Sequence, residues 1–313
     1  MRKDGGARFA PDAYDGRRFA LRLLVQTDAL EQKGAPLQPW ARSSFDALPP
    51  DAYWRSIESP RGAGADLGLT RGVRELIEWS EDFGPAHLLD GRSAVVLAPT
   101  PDGLTSAVVA WESSDVEAIA PAGDALIARR IRPLFTEGAD APAIDLGGAF
   151  PAAQRTVDLS ATSLARALKP AFDAGPVLSW SFVRGRGAPE ATKSGWWTLG
   201  LGKDAVALVS KALTTPPLPH PPGGDGADQR AAPWISIGSA RPSALVRELE
   251  RRKIPLPPEA SMIVNPARVV ERIEWELLQG DARTVVGVGA LVLEPAGPGE
   301  PGEQDKGASR GKP

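Results

Sequence analysis

Gly200, Gly202 and Ala205, in the stretch GWWTLGLGKDAVALVSKAL from Gly195 to Leu213, have the G-x-G-x-x-A spacing of a nucleotide-gripping turn between a strand-like and a helix-like run. A dinucleotide site uses such glycines for close approach of the pyrophosphate, and needs an acidic residue about 20 positions on, at the end of a second strand. Here the helix-like run meets Pro216, Pro217, Pro219, Pro221 and Pro222, and Asp225 sits inside that proline-rich loop. A phosphate loop of the G-x-x-x-x-G-K-[ST] kind fails as well. Trp197 stands where its first glycine belongs, and Asp204 follows Lys203 where a hydroxyl should hold magnesium. The glycines are therefore expected to serve chain reversal, and no cofactor is expected.

The remaining reactive residue types are scattered. His87 and His220 are the only histidines, neither has a partner at ligand spacing, and no G-x-S-x-G or S-x-x-K sequence supplies a serine nucleophile. No metal ligands and no catalytic residues are assigned. Asp158 with Glu190, or Glu274 with Glu276, would be the acids of a carboxylate-dependent hydrolase acting on glycans. Glu274 and Glu276 flank Trp275, an alternation that fits the wet face of a half-buried strand better. The connection RGRGAPEATK places Arg184, Arg186 and Lys193 near Trp196, a candidate contact for an anion or other ligand such as a phosphate, a sugar or a single-stranded base.

Composition limits the partners. The 36 basic and 39 acidic side chains leave a formal net charge of -3, so no global field draws the chain to nucleic acid or an anionic membrane. The absence of cysteine removes disulfides, thiolate nucleophiles and cysteine-based metal sites together. The first residues, MRKDGGARFAPDAYDG, carry charge but no following apolar block, and no later apolar run reaches the length of a membrane span. The reading is a soluble chain without an export signal, cytoplasmic as written, or of the cell envelope if a signal was removed.

Patterning predicts the elements that hold these residues. FALRLLVQ, RTVDL, VLSWSFVRG, SGWWTLGL and WISIG alternate as strands, and RSAVVLAP with TSAVVAWE reads as a hairpin across Thr100 to Leu104. Helices are expected at Thr70 to Phe83, after a cap at Ser114 or Asp115, in SLARALKPAFDA, after Asp204, and from Pro242 through SALVRELERRK. SMIV is expected as a strand leading through Asn265 and Pro266 into a helix over ARVVERI, before a closing hairpin about Gln279 to Ala282. Trp111, Trp180 and Trp275 are expected in the core. Trp196 and Trp197, being adjacent, must face opposite sides of a sheet, so one belongs to a second packed layer or to a binding surface.

These elements imply an α+β fold with mixed, mostly antiparallel sheets and helices packed on one face. Hairpins centred near residues 102 and 189 are compatible with a duplicated unit. The expected boundaries are a disordered N-terminus at 1–16, one α+β domain at 17–150, a second at 151–294 with a Pro/Gly-rich loop at 214–233, and a disordered tail at 295–313.

The stretch PWISIGSARPSALVREL, with Trp275, Leu277, Asp281 and Val286 to Leu293 in the closing strand pair, resembles an uncharacterised family of bacterial envelope proteins. That resemblance implies duplicated α+β domains without known catalysis. GAPLQPWARSSFD, from Gly34 to Asp46, is similar to the G-P-x-Q-S-W opening of the guide-handle-binding subunit of CRISPR surveillance complexes, with Ala35 inserted and Pro39 in place of serine. This second resemblance implies an RNA-binding subunit of a ribonucleoprotein complex. Taken together, the residues predict a non-enzymatic bacterial binding or structural protein with a protein or glycan partner. RNA binding and glycan hydrolysis are the rival readings.

Overall fold

The computed structural model describes residues 7–14, 17–26, 42–58, 88–89, 92–100, 103–135, 154–165, 176–184, 193–202, 204–214, 234–254, 258–281 and 284–295. Their strands form one 11-stranded sheet, and every pairing in it is antiparallel. In chain order they are β1 (Ala7–Tyr14), β2 (Arg18–Gln26), β3 (Trp54–Glu58), β4 (Ser93–Thr100), β5 (Gly103–Ser113), β6 (Arg155–Asp158), β7 (Val177–Arg184), β8 (Gly195–Leu201), β9 (Trp234–Ala240), β10 (Val270–Asp281) and β11 (Thr284–Leu293). Across the sheet the order is β1-β2-β11-β10-β9-β3-β4-β5-β8-β7-β6. Strands from either side of residue 150 thus interleave, with β2 on β11, β3 on β9 and β5 on β8.

Five helices accompany the sheet among the described residues: α1 (Arg42–Asp46), α2 (Val116–Ile131), α3 (Ala207–Thr214), α4 (Pro242–Arg251) and α5 (Ser261–Ala267). None of these helices is long and apolar enough to cross a membrane. The α+β class matches the sequence reading, but the helices do not share one face. On the first face, Val116, Ile119, Leu126, Ile127 and Ile131 of α2 pack with Val95, Val109, Trp111, Trp180, Phe182 and Trp197. On the second, Phe45 of α1 and Val209 and Ala212 of α3 pack with Ile57, Ala94, Val96, Val108, Ala110, Trp196 and Ile237. The cause is visible in SAVV and TSAVVAW, where consecutive residues are all apolar or small. A strand of that kind is buried on both sides.

The order hairpin then helix occurs twice, as β4-β5-α2 and β7-β8-α3. A rotation exchanging the antiparallel neighbours β5 and β8 keeps each face on its own side, whereas α2 and α3 lie on opposite faces.

Three further local expectations change. Ala7–Tyr14, expected to be disordered, form β1, an edge strand whose register slips between Pro11 and Ala13. Proline is tolerated there because an edge has no second partner to supply. SMIV is helical and not a strand: α5 spans SMIVNPA, and extended structure begins at Val270, inside the stretch ARVVERI expected to be a helix. Pro266 comes so late in α5 that the only hydrogen bond it forfeits is to the first turn, and β-branched Val270 and Ile273 favour the sheet. The expected helix at Thr70 to Phe83, all but the first three residues of the one expected in SLARALKPAFDA, the disordered tail from Ala296 on and all but one residue of the 214–233 loop lie outside the described residues.

On the first face, Trp54 and Trp275 meet at 4.9 Å between ring centroids, and each indole N–H donates to a serine hydroxyl, Ser56 and Ser236 respectively. Trp275 lies flat over Gly238, where a Cβ would come within 2.0 Å of its Cζ2. Gly238→Ala is therefore expected to push the indole off the sheet and lower stability by about 1–3 kcal/mol, the usual cost of overpacking, as read from urea unfolding followed by tryptophan fluorescence.

Candidate functional site

The glycine turn is filled by the protein's own atoms. Gly202 has φ of +119°, a conformation that side chains rarely adopt, and its N–H donates to the Val177 carbonyl at 2.8 Å. A Cβ on Gly202 would lie 2.2 Å from Ser106 Oγ, and one on Gly200 would lie 2.5 Å from the Ala205 Cβ. The Gly202 carbonyl accepts from Ala205 N–H at 3.2 Å, and the Asp204 carbonyl from Ala207 N–H at 3.0 Å. Chain reversal thus explains both glycines. Asp204 contributes its backbone carbonyl, with α3 starting at Ala207, and Lys203 lies outside the described residues.

The candidate ligand residues are divided by the fold. Arg184 ends β7 opposite Gly195, while its side chain and the whole of Arg186 are outside the described residues. Lys193 is exposed, its Nζ 3.8 Å from Asp115 and 3.9 Å from Glu117, and its carbonyl accepts from Val116 N–H. It therefore fastens β8 to the first turn of α2, which Asp115 caps by accepting from Ala118 N–H at 3.0 Å. Trp196 is only 3% exposed and belongs to the second-face core. The Arg92 guanidinium lies 5.5 Å from its ring and binds Glu112 at 2.7 and 2.6 Å. Of the two possibilities for the adjacent tryptophans, the second packed layer holds, for Trp197 is buried on the other side beside Trp111 and Phe182.

The other candidate acids are placed as follows. Asp158 Oδ1 accepts from Ser160 N–H at 2.8 Å, closing a turn after β6, and Glu190, His87 and His220 lie outside the described residues. Glu274 receives Arg272 at 3.3 Å on the second face, opposite in direction to Trp275. Among the described residues no group of three or more acids or histidines is gathered to hold a metal ion.

Sequence reading missed a buried charge cluster. Asp124, in the middle of α2, accepts from the Trp180 indole at 2.7 Å and lies 3.0 Å from Arg155 of β6. All three side chains are buried, and the Arg155 guanidinium also rests 5.3 Å from the Phe182 ring. An acid in the middle of the otherwise apolar and small stretch AIAPAGDALIA was the available signal. The cluster ties α2 to the edge of the sheet, because removing either charge would leave the other buried and uncompensated. Asp124→Ala is expected to cost about 3–5 kcal/mol and Arg155→Met with Asp124→Leu together much less, measured by chemical unfolding of the single and double variants.

Two carboxylates serve helix α4, Glu248 within its own last turn and Glu294 from beyond β11. Hydrogen bonds from Arg251 and then Arg252 lower the Glu248 pKa to about 2, against burial that acts to raise it. Hydrogen bonds from Ser243 and Arg247 likewise hold Glu294 below its ordinary value of 4.5. A depressed carboxyl stabilises fully above its unfolded pKa and loses that contribution as pH falls through the folded one. The Glu248 contribution to the end of α4 is therefore expected to fade between pH 4.5 and about 2, and the Glu294 anchorage to weaken below 4.5 as well. Glu248→Gln should cost about 0.5–1 kcal/mol near neutrality, since Arg251 is largely exposed, and the difference from the parent chain should vanish at the acid end of an unfolding series.

Beyond α4 the chain builds a promontory. The helix ends in two reversed bonds, Lys253 N–H to the Glu250 carbonyl and Ile254 N–H to the Leu249 carbonyl, both 3.0 Å, with Lys253 at φ of 55°. Arg268 then clamps α5 back onto α4 through Glu250 at 2.6 and 2.9 Å, and onto Asn265 at 3.1 Å. Helix α5 has no buried residue and no charged one, and it presents Met262 at 83% and Ile263 at 74% exposure. In comparisons with known proteins, no family model, no curated protein and no solved structure matches the chain.

Proposed function

We propose that the protein is a non-enzymatic binding or structural component that engages a protein partner through the α5 promontory. The observation that carries this reading is the near-complete exposure of Met262 and Ile263 on a helix without a charged residue. Single exposed apolar side chains are ordinary, but two large ones side by side on a projecting helix form an anchor that a partner's pocket would bury. The reactive side chains elsewhere support the same reading. Asp124, Arg155, Arg92, Glu112 and Lys193 each spend their charge on a neighbour within the fold.

The sequence offers a direct probe, since Met1 and Met262 are its only methionines. Photo-methionine incorporated in the host places a crosslinker at the promontory. A discrete crosslinked species is expected from the parent chain and should disappear in Met262→Leu, which keeps the shape but removes the label. A species pattern unchanged by that substitution would count against α5 as the binding element.

A further inference from the structure

The cover of the second face stops part-way along the sheet. One row of residues opposite each other runs Ala94, Ile57, Ile237, Glu276, Val288, Arg22 across β4, β3, β9, β10, β11 and β2. Facing residues in an antiparallel sheet share a side, so all six point the same way. Ala94, Ile57 and Ile237 are buried under α1 and α3. Past β9 that cover ends: Val288 is 43% exposed, Leu24 is 37% exposed, and Arg22 is exposed. This open patch has an ordered layout. Arginines lie on β2, valines and the buried Ala290 on β11, and Glu274 and Glu276 with Arg272 on β10.

We infer that this patch is the interface of a face-to-face dimer, so that its occupant is a second copy of the chain. A two-fold axis lying in the interface and parallel to β11 stacks the two β11 stripes and brings β2 of each copy over β10 of the other. The row Arg22, Val288, Glu276 is then self-complementary: Arg22 meets Glu276 of the second copy twice, on either side of paired Val288 side chains. An axis across the strands would set arginine on arginine, so charge selects one orientation. The next row, Ala20, Ala290, Glu274, is small at its centre and lets the sheets approach to the roughly 10 Å of an aligned sandwich. In the row after that, Arg18 would meet Arg272, whose charge Glu274 offsets at 3.3 Å.

Three strands about 4.8 Å apart, each contributing about seven residues of 3.4 Å, give a patch of roughly 14 by 24 Å. That is less than half of the ~800 Å² per partner buried in a stable standard-size interface. The dimer is therefore weak, and it is favoured by low salt. This inference does not depend on α5, which lies in the chain between α4 and β10.

Sedimentation velocity of the full chain from about 10 μM to 1 mM tests it. The mean mass of the parent chain is expected to rise toward the dimer. Arg22→Glu alone and Glu276→Arg alone should each remain monomeric, because each juxtaposes like charges twice. An equal mixture of the two variants should dimerise again, since both contacts across that interface are then of opposite sign. This rescue also excludes misfolding as the reason for the single effects. A parent chain that stays monomeric at 1 mM, single variants that associate as the parent does, or a mixture that remains monomeric would each overturn the proposal.

Discussion

The fold is organised around the ring of Trp197. Its indole stacks on Phe182 of the neighbouring strand and leans on Trp111 across the β5–β8 seam, both at 5.7 Å between centroids. Helix α2 approaches Phe182 and Trp197 closely at Gly123, where a Cβ would fall 2.9 Å from Phe182 and 3.3 Å from Trp197. Three aromatics in contact bury several hundred square ångströms of apolar surface and dominate the local energetics. The glycine is what lets the helix approach them. Because β5 precedes residue 150 and β8 follows it, this cluster also binds the two parts of the chain into one sheet.

Once that cluster fixes α2 on the first face, the second face of the same strands requires its own cover. The sequence between residues 93 and 111 is apolar or small on both parities, so leaving either side wet would expose valines that strand geometry cannot hide. Helices α1 and α3 answer this from segments on either side of β4 and β5 in the chain. Some of the polar groups caught between the layers pair with one another. The Ser181 and Thr198 hydroxyls bond each other at 2.7 Å, and Asp124 accepts from an indole while forming an ion pair with a guanidinium. Such groups register strands and helix against one another. Their chemistry is consumed in doing so.

Much of this was legible in the residues. Alternation located β2 and β4 through β9, the Asp115 cap located α2, and the adjacency of Trp196 and Trp197 required a sheet with two sides. Local pattern could not say that both sides were covered, since the second-face cover of β4 and β5 comes from segments about 50 residues upstream and 100 downstream. It also inverted the region around Pro266. An apolar run such as SMIV satisfies a strand template and a short helix equally, and the decision rests on tertiary contacts that lie far away in sequence. Trp196 shows the same limit for the candidate site: a basic loop beside an aromatic looks like a ligand grip, yet pleating sends that ring into the core.

Helix α5 is the part of the molecule least explained by the needs of folding. Seven residues are too few to hold a helix unaided, so its shape is imposed by the turn at Pro258–Ala260 and by the Arg268 clamp onto Glu250 and Asn265. That clamp uses no atom of Met262 or Ile263. Serines at both positions would fit it as well and would remove the exposed apolar surface. The approach to the helix is likewise costly, because Lys253 adopts the left-handed backbone that glycine would take with about 1 kcal/mol less strain. A strained reversal that projects two unburied hydrophobes contributes nothing to the core. In the proposed role, burial of those two side chains by a partner would offset that strain.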